Sequence, residues 1–107
     1  MSRQNRASTL AAWEALGTTA DPGWINTVMR ACYTDDVIRA LVMVPPAFRE
    51  HLFTGVSDRG RELAMDGLAM TLMLGIAPAD IEAARITIGT TALRLSREAA
   101  SHRGAEA

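Results

Sequence analysis

The chain has no lysine, a single cysteine, two histidines and few aromatic residues, with two tryptophans, one tyrosine and two phenylalanines. Each scarcity excludes something. With only Cys32, no internal disulfide can form and nothing marks an oxidising compartment, so a reduced cytoplasm fits best. All eleven basic residues are arginine, and twelve acids bring the net charge to −1. A nucleic-acid binder draws most of its affinity from a basic excess that neutralises phosphates, and none is present. The nearest approach is Arg94, Arg97 and Arg103, interleaved with Glu98 and Glu106. No segment approaches the roughly 20 apolar residues of a membrane span, and polar Met1 to Arg6 lead into no signal-peptide core. Neither secretion nor membrane insertion is expected.

Nearly half of the 107 residues are apolar, 49%, against 21% charged. That balance belongs to a chain that folds, and the length suits one modest core. We expect a single helical domain over residues 1–107, with its core at about 9–102 and flexible ends at 1–7 and 103–107.

Proline, glycine and capping residues divide the chain into six stretches, none with the alternation or β-branched clustering of a strand. The first helix is expected from Thr9 to Leu16, capped by Ser8 and ended by a left-handed Gly17. The second starts at Pro22 behind the cap Asp21 and places Ile25, Val28, Met29 and Cys32 on one face. Thr34 is expected to cap a third, from Asp35 to about Met43, with Val37, Ala40 and Leu41 inward. Pro45 and Pro46 break it and start a fourth, to Thr54, which buries Phe48, Leu52 and Phe53. Ser57 caps a fifth, to about Leu74, through Leu63, Leu68, Met70 and Met73. Gly60 and Gly67 inside it each cost about 1 kcal/mol relative to alanine, which points either to close packing or to a misplaced helix boundary. The last helix runs from Pro78 to about His102, with Ile81, Ala84, Ile88, Ala92 and Leu95 as one apolar stripe. The expected fold is all-α, a compact armadillo-like array of about six helices closed by a long C-terminal one.

Chemistry is scarce. His51 and His102 lack a carboxylate or thiol at zinc-site spacing, and no phosphate loop, nucleophile elbow or dinucleotide fingerprint occurs. Cys32 falls on an apolar stripe, where a thiol is a small core hydrophobe rather than a nucleophile. An enzyme would have to assemble a site from His51, Glu50 and Cys32, and nothing aligns them. No catalytic residue, cofactor or metal is expected. Met29, Met65, Met70 and Met73 lie at helical spacings that suit a core; exposed, they would make an adaptable partner surface. Trp13 and Trp24 divide the same way between core anchor and interface.

The most polar part of the middle of the chain is Arg49-Glu50, Asp58-Arg59, Arg61-Glu62 and Asp66. Its bland reading is a solvated face with Arg59 and Glu62 paired one turn apart, worth a few tenths of a kcal/mol. Its functional reading is a charged docking ridge of Arg49, Glu50, Arg59, Glu62 and Asp66 that selects a partner by complementary potential.

The run from Arg49 to Arg59, REHLFTGVSDR, followed by Glu62-Leu63 and Asp66, resembles a helix-turn-helix of the C-terminal domain of the FliG flagellar motor switch family. There an Arg-Glu-Lys helix leads to Asn-Met-Ser-x-Arg and an acidic helix. Ile25 to Leu41 is similar to the helices before it. Asp80-Ile81-Glu82-Ala83-Ala84-Arg85, ending at Leu93-Arg94-Leu95-Ser96-Arg97-Glu98, is similar to the long closing helix. The likeness spans roughly residues 9 to 100. It implies a rotor component of the bacterial flagellum at the cytoplasmic face of a membrane-bound assembly, with switch-complex or stator-like proteins as partners.

Part of the family's charge is missing. Arg59 stands at the ridge arginine and Asp66 at the first of two acids, but Gly67 replaces the second acid. Val42 replaces the lysine of a Leu-Lys-Gly-Ala stretch, which reads Leu41-Val42-Met43-Val44 here, and the Gly-Pro-Val turn becomes Leu74-Gly75-Ile76-Ala77-Pro78. These losses weaken the expectation of torque generation and favour a stand-alone relative with a partner surface over an excised fragment of a motor protein. The alternative reading is a small helical nucleic-acid-binding regulator, with the turn at Gly55-Val56-Ser57 and Asp58, Arg59 and Arg61 at a recognition helix. A domain so rich in Met, Leu and Ile is also expected to leave apolar surface that a second copy could cover.

Overall fold

A computed structural model of the chain describes residues 5–106, with side chains described for residues 5–102. The ends expected to be flexible lie in part outside the described residues, at 1–4 and 107. The elements run α1 Arg6–Leu16, α2 Pro22–Arg30, α3 Thr34–Ala40, α4 Pro46–Phe53, α5 Asp58–Leu74 and α6 Pro78–Glu106. Among the described residues there is no strand, and the all-α expectation holds.

The helix starts follow their caps. Asp21 accepts from the Trp24 amide at 3.2 Å ahead of Pro22, and Ser57 accepts from the Gly60 amide at 3.1 Å. Two expected caps are corrected. Asn5, not Ser8, caps α1, its side-chain oxygen accepting from the Ser8 amide at 2.7 Å. The helix therefore begins a turn early. Thr34 is the first residue of α3, and Tyr33 precedes it without a side-chain cap bond. Gly17 is right-handed (φ −76°), and its lack of a side chain serves packing instead, because a Cβ there would meet the Phe48 ring. The left-handed glycine is Gly75, at φ 84°, which ends α5.

The core gathers Trp13 and Leu16 of α1, Ile25 and Val28 of α2, and Ala40 to Val42 at the end of α3. It continues with Leu52 and Phe53 of α4, Ala64 and Leu68 of α5, and Ile81, Ala84, Ile88 and Ala92 of α6. The α6 stripe is thus buried as its period predicts, with Leu95 partly so. This long helix carries α1, α2 and α3, and α5 joins the body chiefly through α3. Where α3 meets α5, Gly67 leaves room that a Cβ would fill at 2.3 Å from Ile38 Cδ1. The expected close packing at Gly67 is confirmed.

The expected inward set on α5 is corrected. Ala64 and Leu68 are buried, but Leu63, Met65, Met70 and Met73 are exposed. A helix periodic in apolar residues shows which faces are apolar, not which of them another element covers.

Between α3 and α4 the chain turns through Met43 at φ 62°, the one left-handed residue other than glycine among the described residues. Its side chain is 86% exposed, so no burial compensates the conformation. A residue with a Cβ loses about 1–2 kcal/mol there, while glycine would return about 0.4–1 kcal/mol in unfolded-state entropy. Met43→Gly is therefore expected to stabilise the fold by about 0.5–1 kcal/mol, a rise in melting temperature of a few degrees in a thermal scan. A fall would show that Met43 is not strained.

Candidate functional site

The five residues of the expected ridge lie on α4 and α5, and the structure separates them into two groups. Glu50 Oε1 accepts from Arg61 Nη2 at 2.7 Å, and its other oxygen lies 3.9 Å from Arg49 Nε. Arg61 also lies over the Phe53 ring, 5.2 Å from its centroid. These charges hold α4 against α5 across the turn at Gly55, which is itself anchored by Asn26 Nδ2 donating to the Gly55 carbonyl at 2.8 Å. Arg49 Nε is buried and makes no hydrogen bond.

The second group is Arg59, Glu62 and Asp66, all exposed. At spacings of three and four they lie along the outward face of α5. The expected Arg59–Glu62 pair does not form, and among the described residues none of the three makes an ion pair or side-chain hydrogen bond. Sequence reasoning missed Arg61 as the residue that ties down Glu50, because the two are eleven positions apart and meet only through the α4–α5 turn.

The two positions where the resemblance leaves charges lacking, Val42 and Gly67, are both packed in this fold. Val42 is buried beneath α6, where Arg85 Nη2 donates to its carbonyl at 2.6 Å. Gly67 lies against Ile38, so a second acid at this position would force Ile38 from its place. Neither position can regain its charge without repacking the α3 contacts.

The other residues weighed for chemistry are dispersed. His51 bonds through Nε2 to the Thr19 carbonyl, and Glu50 is committed to Arg61. Cys32 is half-buried, and its burial pushes the thiol pKa up, away from the reactive thiolate. Among the described residues no three His, Cys, Asp or Glu side chains could together hold a metal ion. Beside Cys32, an apolar groove of about 390 Å³ runs between α2 and α5, lined by Met29, Val37, Phe53, Val56 and Ala64. No helix among the described residues is long and apolar enough to cross a membrane.

Six helices on one core, closed by a long final helix and presenting a charged helix face, define an all-α armadillo-like domain of the kind that assembles with other proteins. The FliG C-terminal domain model matches residues 7–100, and the chain belongs to that family, the one that serves the flagellar motor switch and motility. No curated protein and no solved structure matches the chain.

Proposed function

We propose that this chain is a non-enzymatic interaction module of a flagellar motor switch or a related assembly, at the cytoplasmic face of the membrane. It docks another switch-complex or stator-like protein through the face of α5. Arg59, Glu62 and Asp66 make the direct charged contacts, and Arg49 and Glu50 at the base of the same ridge hold α4 in register with α5. The observation that carries the reading is the set of three exposed charges on one helix face with no intramolecular use. Charges left solvated in this way cost nothing to keep free and set encounter rate and partner choice.

Torque is not part of the proposal, because the family's ridge depends on charges that Val42 and Gly67 do not supply. Nucleic-acid recognition is disfavoured by Arg61, one of the two arginines such a helix would offer, which is held by Glu50 and Phe53.

The test is affinity co-purification from the native cell with the wild type and with the double charge reversal Arg59→Asp, Asp66→Arg. Partner recovery is expected to fall by about fivefold or more, with circular dichroism unchanged, since neither side chain supports the fold. Equal recovery of the same partners would sink the ridge, and salt-sensitive retention on DNA would favour the regulator.

A further inference from the structure

The apolar groove between α2 and α5 stands apart from the charged ridge, since none of Arg59, Glu62 and Asp66 lines it. Four helices contribute to it, with Met29 from α2, Val37 from α3, Phe53 from α4 and Ala64 from α5. Its volume of about 390 Å³ lies toward the lower end of the roughly 300–1,000 Å³ of binding pockets. That is room for an anchor of a few side chains, not for a whole element.

The charge on the groove is one-sided. Arg30, in the last turn of α2, is its one charged lining residue, and no acid lines it. Arg30 is exposed and, among the described residues, makes no ion pair or side-chain hydrogen bond. Asp36, two positions beyond the lining residue Thr34, faces Arg39 at 3.8 Å instead. The polar lining groups add further donors. Ser57 Oγ accepts from the Gly60 amide, which leaves its hydroxyl hydrogen free, and Asn26 spends one of its two amide hydrogens on the Gly55 carbonyl. A groove of this kind complements an apolar segment that carries a carboxylate, whereas a basic segment would set like charge against Arg30.

We propose that the groove docks a short amphipathic segment of a partner protein. Large apolar side chains of the segment fill the groove, and an Asp or Glu within a turn of them pairs with Arg30. An anchor this small with a single charge pair binds weakly, with a dissociation constant on the order of 100 µM. The inference does not rest on the docking role of the ridge, because the two surfaces share no residue.

Cys32 supplies the readout. It lines the groove and is the only cysteine of the chain, so its rate of reaction with Ellman's reagent reports what covers the groove. Random peptides displayed on phage are selected against the full chain, and the enriched sequences are synthesised. They are expected to share large apolar residues with an Asp or Glu within one turn, and to slow the labelling of Cys32 when bound. Arg30→Glu should weaken a selected peptide by about tenfold at unchanged helix content, and replacing the acid of that peptide by lysine should restore binding to the variant. Arg59→Asp with Asp66→Arg is the control and should bind the peptide as wild type does. Failure to enrich any peptide, or peptides that bind without protecting Cys32, would overturn the groove as a docking site. Equal binding to Arg30→Glu, or no rescue by the lysine peptide, would overturn the acidic occupant. A loss of binding in the ridge variant would overturn the separation of the two surfaces.

Discussion

Gly89→Ala is expected to destabilise the domain by about 2–3 kcal/mol, although alanine is by itself the better helix former by about 1 kcal/mol. The reason lies in how α1 sits on α6. Gly89 is in the middle of the long helix, next to fully buried Ile88, and a Cβ built on it would fall 1.9 Å from the Thr9 carbonyl oxygen and 2.7 Å from its carbonyl carbon. The obstacle is backbone, so no rotamer change relieves it. α1 would have to rise by more than 1 Å to restore ordinary contact, and Trp13 and Leu16 would rise with it. Thr9 is buried at the same place and turns its hydroxyl onto the Arg6 carbonyl at 2.9 Å, which lets the two helices approach closely. The Arg6–Glu82 ion pair ties the start of α1 to α6 on the exposed side, and a surface pair cannot offset the loss. Urea unfolding would show a lower midpoint, with α1 amides losing hydrogen-exchange protection first. A variant as stable as wild type would mean that α1 docks more loosely than described.

Very little of this was legible in the sequence. Gly89 is one small residue inside an apolar stripe, and its partner Thr9 lies eighty positions away in a helix whose start was itself misplaced. The misplacement is instructive. Asn5 and Ser8 are both good capping residues three positions apart, and only the α1–α6 contact, which needs the extra turn, decides between them. By contrast, Pro22, Pro46 and Pro78 each start a helix at the residue the sequence indicates, because proline's fixed φ and missing amide act locally whatever surrounds them.

The same division explains the candidate site. That Arg49 to Asp66 forms a charged cluster is visible from composition. That Glu50 belongs to Arg61 while Arg59 and Asp66 stay free depends on the angle between α4 and α5, which Gly55 fixes by its close approach to Ile25 and the Pro22 carbonyl. Of the methionines expected in the core, Met29 packs against it, whereas Met65, Met70 and Met73 do not, for a related reason. Met70 and Met73 have the spacing of core residues, and only the position of α3 shows that the core ends at Leu68. At the two positions where the resemblance marks charges as lacking, Val42 is buried and Gly67 lies against Ile38, which the sequence alone did not indicate.

Arg85→Ala is expected to cost about 3 kcal/mol, as large an effect as any single side chain outside the apolar core should have. Arg85 is on α6, yet its guanidinium serves α3. Nε donates to the Ala40 carbonyl at 3.0 Å and Nη2 to the Val42 carbonyl at 2.6 Å, at a helix end whose carbonyls have no intrahelical partner. Ala40 and Val42 are themselves buried, so water cannot readily replace those bonds. The positive charge also faces the negative end of the α3 dipole, and it lies 5.9 Å from the Trp13 ring centroid. Alanine removes all of these and the packing of the side-chain stem. Lysine should recover only part, because a single ammonium cannot span two carbonyls as the guanidinium fork does, and a loss of about 1–2 kcal/mol is expected for Arg85→Lys. Equilibrium unfolding of the two variants checks the order. If Arg85→Ala costs less than Arg85→Lys, the carbonyls are satisfied some other way and the fork is dispensable. Because only Met43, Val44 and Pro45 separate Val42 from the start of α4, a loosened α3 end would also free α4 and with it the Glu50–Arg61 pair. Arg85→Ala should then weaken partner recovery by the α5 ridge without touching a residue of it, at temperatures where the variant is still folded.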